Sequence, residues 1–130
     1  MSSLEFQKMS TTNPQNLPLG DETFFEELAR NSGIVMTRDL LESAPASVEK
    51  EVGLISRYLE AEDKENVRKA CHALKGACYS MQAHRLAYFV RELEMALDDL
   101  SNAKELFKSV ELVSNQTINW WQNLKMKLHF

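Results

Sequence analysis

The chain has 130 residues, a formal charge of -4, and side chains that are 44% hydrophobic and 26% charged, enough to bury one core and too few for two ordinary domains. Four glycines and three prolines argue against a turn-rich sheet protein, and the acidic balance excludes a general nucleic-acid binder, whose affinity comes from clustered Lys and Arg on phosphates. No apolar run approaches the ~20 residues that cross a bilayer, and residues 1–7 lack the charged start and apolar middle of a signal peptide, so the expectation is a cytoplasmic protein without membrane contact.

Residues 1–20 are rich in Ser, Thr, Asn, Gln and Pro without sustained periodicity and read as a flexible leader, leaving 21–130 as the folded domain. Asp21 caps a short helix bearing Phe24, Phe25, Leu28 and Ala29, which stops at Asn31-Ser32-Gly33, where glycine can take a left-handed backbone. Over 35–59 the residues Leu41, Ala44, Val48, Val52, Ile55 and Leu59 recur at three- and four-residue steps, the stripe of one helix face. Pro45 interrupts this segment, but the stripe keeps its phase through it, which favours one kinked helix over two.

After the polar turn 61–64, Val67, Ala70, Cys71, Leu74, Cys78 and Met81 form the inner stripe of a third helix. The two cysteines are seven residues apart on it, roughly 10 Å at 1.5 Å per residue, which excludes a disulfide between them. A fourth helix over 83–100 buries Leu86, Phe89, Val90, Leu93, Ala96, Leu97 and Leu100, with Ser101-Asn102 as the following turn and cap. The last helix, over 103–128, carries Leu106, Val110, Val113, Thr117, Trp120, Trp121, Leu124 and Leu128, with one tryptophan in the core and the other partly covered. Long amphipathic helices with short connections predict an all-α fold, an antiparallel up-and-down four-helix bundle with a short additional N-terminal helix.

On the third helix Arg68, His72, Lys75, Gly76 and Tyr79 share a face beside the buried stripe, because their spacings are three, four and seven residues. A histidine there can act as a nucleophile through an unprotonated ring nitrogen, and an ammonium one turn away can hold a phosphoryl oxygen. Glycine inside a helix costs about 0.5 to 1 kcal/mol relative to alanine, so Gly76 asks for another reason, and open space beside His72 supplies it. The stretch 63–91 holds six basic residues, Lys64, Arg68, Lys69, Lys75, Arg85 and Arg91, against Asp63 and Glu65, a local charge of +4 in a chain of -4.

The run His72-Ala73-Leu74-Lys75-Gly76 resembles the signature of the histidine-containing phosphotransfer (HPt) family, a helical His-x-x-Lys-Gly. Ala77-Cys78, Leu86 and Leu93-Glu94 resemble its continuation, and Leu40-Leu41-Glu42-Ser43-Ala44-Pro45 resembles its preceding helix, so that the likeness covers roughly residues 22–128. The resemblance implies a four-helix bundle whose histidine takes a phosphoryl group from a receiver-domain aspartate and yields it to a second receiver. It implies a stoichiometric phosphocarrier in a multistep relay with a hybrid sensor histidine kinase, monomeric, without a cofactor of its own, with magnesium and most catalytic groups on the partner.

In that reading His72 is the phosphoacceptor, Lys75 steadies the phosphoryl group, and Glu94 orients the imidazole where the family often has glutamine. Arg68, Lys69, Gly76, Tyr79, Arg85 and Arg91 form the partner surface, and the basic stretch steers encounter with a receiver's acidic pocket. Gln82 stands where the family usually has glycine, ten residues beyond the histidine, so the backbone or the partner choice is expected to differ there.

Blander readings compete. A lone helical histidine is usually structural or merely exposed, helical charges are usually solvated, and Tyr79 could be half core. His84 and His129 sit near helix ends and read as solvated. A metal site from Cys71, His72, Cys78 and His84 is disfavoured, because neighbours diverge by about 100° around a helix and the spacing lacks a zinc pattern. The alternative function is a helical module that docks receivers or another signalling partner without carrying phosphate. An independent hydrolase is disfavoured by the lack of a carboxylate pair, a metal-ligand set or a phosphate-cradling loop.

Overall fold

In the computed structural model residues 16–128 are described, and among them the chain forms five α-helices and no strand. The elements are α1 (Glu22–Ser32), α2 (Ile34–Glu60), α3 (Lys64–Ser80), α4 (His84–Met95) and α5 (Leu100–Lys127). Helix α2 packs on α3 and α5, and α4 packs on the same two, so α2 to α5 stand as the four corners of a bundle, with α1 laid on α2. Each connection is a few residues long, which forces neighbours to run antiparallel. None of the described helices is long and apolar enough to cross a membrane.

Three aspartates start three of these helices. Asp21, Asp63 and Asp99 accept hydrogen bonds from the backbone N–H of Phe24 (3.3 Å), Asn66 (3.2 Å) and Asn102 (3.2 Å), each satisfying a donor that the first turn leaves without a partner. Gly33, at φ 103°, ends α1 in a backbone conformation that a side chain would strain. The proline in α2 does not split it: the helix is continuous through Pro45, with Leu41, Ala44, Val48, Ile55 and Leu59 buried on one side.

Two sequence expectations need correction. The fourth helix ends at Met95 rather than continuing to 100, and Asp99, not Ser101-Asn102, caps the last helix. The carboxylate of Asp99 offers an acceptor that a continuing helix cannot use, so the chain turns over 96–99 and restarts at Leu100. Leu97 is buried as expected, but from within that turn.

The leader expected over 1–20 lies outside the described residues up to 15, as does His129. Residues 17–20 run as a strap across the start of α4. That helix has no side-chain cap; instead the Leu19 carbonyl accepts the Arg85 N–H at 3.3 Å, and Gly20 forms an isolated bridge with Ala83. A Cβ at Gly20 would collide with the Gln82 carbonyl oxygen and the Trp120 ring, so only glycine permits this approach of the two backbones.

Candidate functional site

Helix α3 is oriented by its buried stripe of Val67, Ala70, Cys71, Leu74 and Cys78. His72 follows Cys71 by about 100° of rotation, and its side chain stands 65% exposed while Cys71 is fully enclosed. The two therefore do not converge on a metal. Burial, and next the charge of Glu94, push the Cys71 thiol up to about 12 against the opposing charges of Lys75 and Arg68. Burial alone does the same to Cys78, so both are core thiols without thiolate character.

Opposite His72, α4 buries Leu93 and thereby turns the next residue, Glu94, toward α3. One oxygen of Glu94 accepts from Lys75 Nζ at 2.6 Å and the other lies 3.0 Å from His72 Nε2. Lys75 and Glu94 are only 18% and 15% exposed, so each needs the other: a carboxylate this far from water is costly without a charged donor. The carboxylate lies between the ammonium and the imidazole, on the α4 side of the ring. Lys75 is thus engaged with Glu94 and is not a free cation waiting beside the ring.

Gly76 has nothing within 4 Å of where a Cβ would stand. Among the described residues no packing demands glycine there, and the surface one turn beyond His72 is bare of them. Tyr79, one turn further, is 56% exposed and contributes nothing to the core. Arg68 is half exposed and 3.3 Å from Glu65 on its own helix, and Lys69 is exposed. Arg91, one turn before Glu94, lies with its guanidinium 5.9 Å from the Tyr88 ring centroid.

Arg85 does not join this surface. Its Nε donates to the Leu17 carbonyl at 2.8 Å and its Nη1 to Gln116 Oε1 at 3.1 Å, so it ties the strap to α4 and α5. What the sequence reading missed is the cleft that this tie builds, about 400 Å³ in volume and lined by Leu17, Pro18, Tyr79, His84, Tyr88 and Arg91 among others. No local signal marks Leu17 and Pro18, which sit in a segment without periodicity.

Gln82 lies in the connection between α3 and α4. That residue adopts φ 58°, a left-handed backbone that costs a non-glycine residue roughly 1 kcal/mol. Around it Ala83 N–H donates to the Cys78 carbonyl at 2.8 Å, and Trp121 Nε1 donates to the Met81 carbonyl at 3.2 Å. Gly20 closes the other side, so the turn is held from three directions.

Comparison with known proteins gives two findings. The Hpt domain family model matches residues 35–124. Among solved structures, histidine-containing phosphotransfer protein B (HptB) from Pseudomonas aeruginosa PAO1 superposes with a TM-score of 0.75 at 20% identity, over 86% of this chain and 98% of that one, a likeness of fold. Among curated proteins no relative matches.

Proposed function

The chain belongs to the Hpt domain family, and from that premise we propose that His72 is the residue on which it carries a phosphoryl group. The protein is a histidine phosphotransfer protein of a two-component phosphorelay, a carrier rather than a catalyst, and it works with receiver domains. The observation that best supports His72 is its setting: a ring 65% exposed on α3, restrained on one side by Glu94 and faced by open helix surface at Gly76.

A lone pair on the imidazole attacks the phosphorus of a receiver's aspartyl phosphate; the P–N bond forms as the P–O bond breaks, and its electron pair leaves with the aspartate carboxylate. The contact with Glu94 holds the ring so that little orientational freedom is lost on docking. Lys75 then shares its ammonium between Glu94 and the arriving phosphoryl oxygens, and Gly76 leaves room for the receiver's acidic pocket. Magnesium and the remaining catalytic groups sit on the receiver. A hybrid sensor kinase is the upstream source, the carrier is a cytoplasmic monomer, and residues 21–130 form its domain.

The test mixes the protein with a panel of phosphorylated receiver domains and looks for an acid-labile, alkali-stable phosphate that His72→Gln, folded, does not gain. Absence of transfer from every receiver, with binding retained, would replace this reading with that of a docking module that carries no phosphate.

A further inference from the structure

The strap over residues 17–20 does more than cap α4. With Arg85 drawing in the Leu17 carbonyl, Leu17 and Pro18 become one wall of the cleft whose other walls are Tyr79 of α3 and His84, Tyr88 and Arg91 of α4. Residues of this cleft stand on the helices that carry His72 and Glu94. Tyr79 is seven residues beyond His72, two turns along the same helix face, and Arg91 is one turn before Glu94.

Its chemistry is one-sided. Leu17, Pro18, Tyr79 and Tyr88 supply apolar and aromatic surface, while Arg91 and His84 supply the basic groups, and no carboxylate of the described residues lines it. Among the described residues no carboxylate forms an ion pair with Arg91, whose guanidinium lies over the Tyr88 ring at 5.9 Å from its centroid. An aromatic plate beneath an arginine fixes the fork for an incoming carboxylate at small entropic cost. Exposed Tyr79 and Pro18 beside it are the kind of rigid side chain that contributes contact area without losing rotamers.

We propose that this strap-built cleft is a second docking point for receiver domains, set beside the phosphoacceptor, that selects partners presenting an acidic side chain next to an apolar one. The carboxylate meets Arg91, and the apolar neighbour lies against Pro18, Leu17 and Tyr79. The inference rests on the phosphocarrier reading of His72 and adds the feature that tells one receiver from another. A receiver that reaches His72 but offers a basic or bare surface here docks weakly.

Pro18 allows a test by sign, since it is exposed and its carbonyl makes no hydrogen bond in the strap. Receivers that pass phosphate to His72 in the panel are titrated against the full chain and against Pro18→Glu and Pro18→Lys, at low and at high salt. Both variants carry the same loss of proline and opposite charges. For receivers with an acidic docking segment, Pro18→Glu is expected to bind about tenfold more weakly than Pro18→Lys at low salt, with the difference between the two collapsing at high salt. Equal affinities for all three proteins, or equal weakening by both charges, would overturn the proposal while leaving phosphate transfer intact. If no receiver phosphorylates His72 at all, the phosphocarrier reading itself has failed and this inference with it.

Discussion

Replacing Gly76 separates what a residue does for the fold from what it does for the partner. A Cβ at this position meets nothing within 4 Å among the described residues, and the backbone is helical, so Gly76→Ala gains helix propensity without a clash, about 0.5 to 1 kcal/mol. For a chain of this length that is roughly a 2 to 4 °C rise in melting temperature. Gly76→Gln gains similar stability but places a long side chain one turn from His72, in the path of a docking receiver. It is expected to slow phosphoryl transfer about tenfold, or ~1.4 kcal/mol in the barrier. Gly53 is the internal control: it lies in α2, is equally open around its Cα, and lines a groove with Glu111 and Ser114 of α5, on the other side of the bundle. Gly53→Ala should raise the melting temperature alike and leave transfer unchanged. Thermal melts by circular dichroism and transfer time courses from one phosphorylated receiver make the comparison. A lower melting temperature for Gly76→Ala would refute the open-space geometry, and wild-type transfer by folded Gly76→Gln would refute clearance as the reason for the glycine.

Three further outcomes follow from the structure. Gly20→Ala drives a methyl group into the Gln82 carbonyl and within 2.7 Å of Trp120 Cζ3; denaturant melts should show a loss of about 1–3 kcal/mol, and unchanged stability would show that the strap is not packed as described. Gln82→Gly removes the left-handed strain at φ 58° and should leave stability equal or raise it by up to about 1 kcal/mol, measured in the same melts. Cys71 and Cys78, held near 12 by burial, keep their protons in the folded state while unfolded thiols ionise near 9. The unfolded state then binds fewer protons above that value, so stability falls as pH rises from about 9 toward 12, and Cys71→Ala with Cys78→Ala should flatten that slope. Alkylation at pH 8 should be slow in the native protein and fast in denaturant.

The shared face of His72, Lys75 and Gly76 was legible because it is local. Three- and four-residue spacings on one helix place His72, Lys75 and Gly76 on a common face whatever the helix packs against, and the buried phase of Cys71, Leu74 and Cys78 determines which way that face looks. The same periodicity carried α2 through Pro45. It misjudged the end of the fourth helix, because Leu97 and Leu100 keep the apolar phase across a break that Asp99 imposes by capping the next helix. Tertiary structure alone decided the rest. Whether Arg85 faces a partner or the molecule's own strap depends on Leu17, 68 residues away, and the joining of Lys75, His72 and one carboxylate depends on how α4 docks on α3. Gly20, with no periodic pattern around it, is required by two backbones meeting. Helix periodicity is written into neighbouring residues, whereas the pairing of charges and the closing of a cleft depend on which stripes bury against each other, so the shared face of His72, Lys75 and Gly76 could be read from the chain and its surroundings only from the fold.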